Sequence, residues 1–121
     1  MFLNMSNHPV AKWSESQVQA AMALGFGNPT DYPMPLVPPS ALTQDVHGLA
    51  IELLWNLPAE TQACHVSGEY TLTYTLVKLL TECGFPCFVA TTERNTVETI
   101  QPDGSTKKTV VFSFIQWRSY T

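Results

Sequence analysis

Apolar positions recur along this chain with two periods, and the places where the period changes mark its elements. Met1 to Met5 is apolar apart from Asn4 and predicts a buried first strand. Ser6-Asn7-His8-Pro9 breaks it, because Pro9 removes a backbone donor and biases His8 away from helical geometry. Ser14 followed by Gln17 three residues later forms a capping-box pattern, with Trp13 set to staple against Val18. Val18, Ala21, Met22 and Gly25 are the expected inward face of this helix, and Gly25 to Gly27 end it. Five prolines between Asn28 and Ser40 leave room for only a short parallel strand around Thr30 to Tyr32. Met34 to Pro39 is then an ordered loop across the carboxyl edge of the sheet. Ala41 to Trp55 returns to helical period, with Leu42, Val46, Leu49, Leu53 and Leu54 on one face.

Cys64 to Arg94 reads as strand, helix, strand. An apolar run, Cys64 to Ser67, breaks at Gly68-Glu69-Tyr70-Thr71; a helical stretch follows to Cys83 and stops at Gly84. A second apolar run, Pro86 to Ala90, ends in Thr91-Thr92-Glu93-Arg94. At this length the unit is βαβ, so its strands are parallel, its crossover is right-handed, and both polar tips fall on the carboxyl edge. Beyond Arg94 the period is two. Asn95 to Ile100 and Lys108 to Trp117 alternate around Asp103-Gly104, a strong hairpin signal. The pattern predicts one α/β domain over residues 1–121, a three-layer sandwich of about four parallel strands in the order 2-1-3-4. A C-terminal β-hairpin extends the strand-four edge. That order sets the switch point between strands one and three, so Ser6-Asn7-His8 and Ser67-Gly68-Glu69 become neighbours.

Composition narrows the ligand. With 45% hydrophobic and 13% charged residues the chain is globular, and its net charge of −4 offers no footprint for duplex nucleic acid. An anionic ligand would have to be held locally by a few cations and backbone N–H groups. Cys64, Cys83 and Cys87 all lie in apolar runs without metal-ligand spacing and are expected to be reduced core thiols. The three histidines are too dispersed for a metal site, so neither metal nor cofactor is expected. No basic and apolar leader pattern opens the sequence, and no run of about 18 apolar residues occurs, so no membrane partner is expected and a cytoplasmic location is.

The candidate chemistry gathers at the strand tips. His8 is the only histidine at such a tip, and imidazole titrates near neutral pH, which suits proton transfer. His65 lies within a strand and reads as a core or sheet-face residue. Gly68 before a helix lets backbone N–H groups approach an anion, while Glu69 suits either a site or the helix dipole. Thr71 lies close to the mouth and has a hydroxyl for a phosphate, whereas Thr75 is expected to bond back to the preceding turn. Tyr70 and Tyr74, one turn apart, offer a stacking surface or a core edge. Arg94 fits bidentate phosphate recognition, or an ion pair with Glu69, Glu93 or Glu98; Thr91 and Thr92 add hydroxyls beside it. No nucleophile elbow, P-loop, G-x-G-x-x-G or carboxylate cluster is present. What remains suits binding a phosphodiester, or cleaving RNA without metal by attack of the substrate's own 2′-hydroxyl.

Ser6-Asn7-His8, Gly68-Glu69, Ala90-Thr91-Thr92-Glu93-Arg94 and the Phe112–Tyr120 strand together resemble small type III CRISPR-associated proteins related to the CARF domain. That domain is a Rossmann-like sensor of cyclic oligoadenylates, and several of its small relatives are ring nucleases. The resemblance covers the first strand-loop and most of the second half, and residues 28 to 60 contribute nothing to it. The chain departs from the pattern at Glu93, where a basic residue is usual. It departs again at Phe114 and Gln116, where a histidine and an arginine are expected; Arg118 and Tyr120 remain. The resemblance implies a Rossmann-like fold and a homodimer around cyclic tetra-adenylate. It also implies a metal-independent phosphodiesterase with His8, Arg94 and Glu69 as catalytic residues. Ser6, Asn7, Gly68, Tyr70, Thr71, Thr91 and Thr92 would bind the ligand. A non-catalytic cyclic-nucleotide-binding module and a protein-interaction adaptor are the alternatives.

Overall fold

The computed structural model describes residues 1–121. In chain order the elements are β1 (Phe2–Ser6), α1 (Glu15–Ala23), β2 (Pro29–Asp31), α2 (Thr43–Trp55), β3 (Ala63–Ser67), α3 (Tyr70–Glu82), β4 (Cys87–Ile100) and β5 (Thr106–Ser119). A 3-10 turn, Val10–Lys12, precedes α1. The strands form one sheet in the order β2-β1-β3-β4-β5, with β1 to β4 parallel and β5 antiparallel to β4. The fold is thus mixed α/β, and the order 2-1-3-4 matches the sequence reading.

Alternation along the strands explains how the sheet is covered. Leu3, Met5, Cys64, Val66 and Cys87 pack with Val46 and Ala50 of α2 and with Leu72, Leu76 and Leu80 of α3. Their neighbours Phe2 and Ala63 point the other way, onto Trp13 and Ala21. So α2 and α3 lie on one face, and α1 on the other. β1, flanked by β2 and β3, is buried along its whole length.

Local signals are realised at most boundaries. Ser14 Oγ accepts from the Gln17 N–H, and Trp13 and Val18 share one cluster as a staple would require. Gly84 (φ +89°) ends α3 in a conformation that side chains resist. Asp103-Gly104 makes the hairpin turn, with Gly104 at φ +86°. Met34 is buried, and a Cβ on Gly68 would sit 3.3 Å from its Cε. The proline-rich segment therefore does cross the carboxyl tip of β3.

Three expectations are corrected. Asn95 to Ile100 is not a separate strand: β4 runs unbroken for 14 residues, so the sheet has five strands and Thr91–Arg94 is mid-strand, not a tip. No glycine or proline stops the chain there, and its β-branched residues suit a ribbon whether or not the polar face is covered. On α1, Met22 is 44% exposed and Gly25 is also exposed, while Gln17 is buried beside Ala21. The helix is turned toward the sheet by its anchors Trp13 and Ala21. Cys83 is exposed at the end of α3, whereas Cys64 and Cys87 are buried and free. Burial pushes the Cys64 thiol up to about 12 and that of Cys87 up to about 11.

Candidate functional site

The carboxyl ends of β1 and β3 are held by a polar network centred on Asn4, a fully buried side chain. Its Nδ2 donates to the His8 carbonyl and to Asp31 Oδ1, both at 2.9 Å. Both partners are pure acceptors, which fixes the amide orientation and turns Oδ1 toward Ser6 and His65. Ser6 Oγ donates to Oδ1 at 2.7 Å and accepts from the His8 N–H at 3.2 Å. His65 Nδ1 lies 2.9 Å from Oδ1, so Nδ1 carries the ring proton and Nε2 is a bare acceptor. Trp13 Nε1 also donates to the His8 carbonyl. The Ser6–His8 loop is thereby pinned from three directions.

Beside this network, on the α1 face, opens a cleft of about 740 Å³. Ser6, Ser67 and His65 form its floor, and Asn7, His8, Lys12, Ser14, Ser16 and Gln17 one side. Ala90, Thr92, Phe112, Ser113 and Phe114 form the other. No carboxylate lines it, although the chain is acidic overall. Burial, and then the charge of His8, push the His65 imidazole down to about 4, so it is neutral across the physiological range.

A bulge aims the far wall. Thr91 pairs with Gln116 but Thr92 pairs with Phe114, so Ile115 is the extra residue. Without it, Phe114 and Phe112 would lie on the face opposite Trp117. With it, Phe114 comes to 5.5 Å from Trp117, ring to ring, and both phenylalanines reach the cleft. Thr91 Oγ1 clamps this step, donating to the Gln116 carbonyl at 3.1 Å and accepting its N–H at 3.2 Å.

The sequence-predicted residues divide accordingly. Ser6, Asn7, His8 and Thr92 line the cleft together. Arg94 pairs with Phe112 and so shares its face, one step further out along β4, at the rim. It makes no ion pair; Lys108 with Glu98, at 3.6 Å, is the salt bridge of this ribbon. Thr91 is taken up by the bulge. Gly68, Glu69, Tyr70 and Thr71 are outside the cleft, because α3 leaves β3 toward the opposite face of the sheet. Their groups serve the helix start. Gly68 N–H donates to Thr73 Oγ1 at 3.0 Å, and Glu69 Oε2 accepts from Leu72 N–H at 2.9 Å and from Thr71 Oγ1 at 2.6 Å. These bonds, the Thr71 hydroxyl first, hold the Glu69 carboxyl below its ordinary range. Thr75 bonds back to the Thr71 carbonyl, as expected. Tyr70 and Tyr74 are exposed on α3, beside Tyr120.

Lys12, Gln17, His65, Phe112 and Phe114 are cleft residues that sequence reading missed. For His65 a signal existed: two residues before the strand tip Ser67, it must share that residue's face. For the phenylalanines none did, since the bulge reverses their direction.

A model of the uncharacterized protein MJ1673 family matches residues 1–118 of the chain. The chain belongs to this family. The match spans every element described above, from β1 to nearly the end of β5, so the cleft is formed wholly within the family's extent. No curated protein and no solved structure matches the chain.

Proposed function

We propose that the cleft binds a nucleotide phosphodiester, cyclic oligoadenylate in the first place, and cleaves it without a metal ion. The observation that carries this reading is the cleft's lining. An acidic chain keeps its carboxylates out of a cavity at the switch point and sets His8, Lys12, five serine hydroxyls and two phenylalanine rings there. Cations and hydroxyls suit phosphate, and aromatic rings suit a stacked base. No lining carboxylate is on hand to hold magnesium. The same reading takes the fold as a Rossmann-like three-layer sandwich of the CARF-related kind, in keeping with helices on both faces.

In the proposed reaction the 2′-oxygen of one ribose forms a bond to the adjacent phosphorus, and the bond from phosphorus to the 5′-oxygen breaks. His8 takes the 2′-hydroxyl proton, and a proton returns to the 5′-oxygen. Lys12 and Arg94 stabilise the charge on the phosphorane. Glu69 has no part, being a helix cap. A cyclic tetranucleotide has two-fold symmetry and each chain offers one half-site, so the working unit is a homodimer with the ligand on its axis.

Incubation of the purified protein with cyclic tetra-adenylate in EDTA, followed by chromatography, tests this. Linear products that vanish in His8→Ala support the enzyme. Tight binding without products leaves the cyclic-nucleotide-binding module, and absence of binding removes both. The adaptor reading has one observation in its favour, the exposed outer half of the β4–β5 ribbon with Val97, Ile100, Val110 and Val111.

A further inference from the structure

His65, which lines the cleft, and Trp117, packed against it, each bury a polar atom that has no partner. His65 is 3% exposed, and its Nε2 makes no hydrogen bond. The indole Nε1 of Trp117, whose ring lies 4.8 Å from that of His65, is likewise unpaired. Buried polar groups without partners are uncommon in folded proteins, and each invites a specific explanation. The Asn4 amide forces the ring proton of His65 onto Nδ1, so the orphan is a lone pair and not a donor. Trp117 offers the reverse, a donor with no acceptor.

A neutral acceptor and a neutral donor on adjoining rings match a group that both gives and takes a hydrogen bond. A hydroxyl does this. A phosphate oxygen carries no proton at neutral pH and leaves the His65 lone pair unsatisfied; a carboxylate does the same. Phosphate has better partners higher in the cleft, at Lys12 and His8. The geometry points to His65 as the residue that reads a sugar hydroxyl: its Nε2 accepts from the 2′-hydroxyl of a ribose in the cleft other than the one whose proton His8 takes. This makes His65 a specificity-determining residue for ribose over deoxyribose, and it rests on the nucleotide reading above. Nε2 is closed to bulk water in the free protein, so the bond forms as the cleft adjusts around its ligand. There, a ligand lacking the hydroxyl leaves the acceptor as unsatisfied as before.

The test compares cyclic tetra-adenylate with its all-2′-deoxy counterpart by stopped-flow fluorescence binding to the wild-type protein and to His65→Phe, read before the ribose ligand is cleaved. Wild type should prefer the ribose ligand by about tenfold, the value of one buried hydrogen bond. His65→Phe should bind both ligands equally, at the affinity wild type shows for the deoxy ligand. Equal binding of the two by wild type, or an undiminished preference in folded His65→Phe, overturns this inference and leaves the nucleotide reading standing. Failure of both ligands to bind overturns the nucleotide reading and this one with it. Should His65→Phe not fold, the imidazole nitrogen resonances of 15N-histidine-labelled wild type decide. The Nε2 signal should be that of an unprotonated, unbonded nitrogen and should move with the ribose ligand alone; a signal that moves equally with both, or with neither bound ligand, refutes the assignment.

Discussion

Asn4 interrupts an apolar strand inside the sheet, and its amide explains why that interruption is tolerated. It joins Ser6, His8, Asp31 and His65, so every polar atom of the side chain has a partner at 2.9 Å or less. Asn4→Ala would strand several buried groups at once. We expect a loss of about 3 kcal/mol in urea unfolding, more than for a surface asparagine. His65, on the other side of the same amide, gives the protein an acid-sensitive stability. Folded, it stays neutral down to about pH 4; in the unfolded chain it titrates near 6.5. Between these values the unfolded chain binds the extra proton. Stability is therefore full above pH 6.5 and falls as pH drops toward 4, by about 3 kcal/mol. Urea midpoints measured at pH 7 and pH 4.5 should differ in wild type and differ much less in His65→Phe.

At the scale of elements, the β4–β5 bulge decides which side chains line the cleft. Thr91→Val keeps shape but removes both hydrogen bonds to Gln116, and should cost about 1 kcal/mol of stability. It should also weaken ligand binding although Thr91 does not face the cleft. Phe114→Ala should weaken binding directly, by about 1–3 kcal/mol if a base stacks on the ring. Fluorescence titration of the two variants separates aim from contact. The same element marks where sequence reading stops. Strand order and the helix stops were legible, because periods of two and 3.6 and the residues Gly84 and Asp103-Gly104 report backbone geometry directly. The nearness of Ser6-Asn7-His8 to the tip of β3 followed from that order. But the polar run Thr91–Arg94 was read as a tip, since nothing in it distinguishes a loop from a ribbon exposed to water. One unpaired residue, Ile115, then reversed the direction of both phenylalanines. Glu69 could be read either as cap or as site, and only the Leu72 N–H and the Thr71 hydroxyl decide for the cap.

On the scale of the whole molecule, charge is unevenly placed. Arg94, Lys107, Lys108 and Arg118, four of the six basic residues, are on the β4–β5 ribbon. Lys12 sits at the cleft, and carboxylates are kept from its lining. Binding of an anionic ligand should therefore weaken as salt is raised, because the cations that hold it are partly exposed. Titrations in low and high sodium chloride check this. If the ligand joins two chains, it should also raise the melting temperature in a way that depends on protein concentration, visible in a dilution series. The interior place of β1 has a consequence of another kind, in time. Phe2 is aligned with Ala63 and Ser6 with Ser67, so this interior strand is made some sixty residues before its longer neighbour, β3. At ribosomal speeds of about 5–20 residues per second that gap is roughly 3–12 seconds. Throughout it β1 has only the three residues of β2 to pair with, whereas β4 and β5 zip locally around Asp103-Gly104 within microseconds of leaving the ribosome. The strand on which the cleft depends is the first to be synthesised but is flanked on both sides only when β3 has been made, so folding of the nascent chain waits on β3.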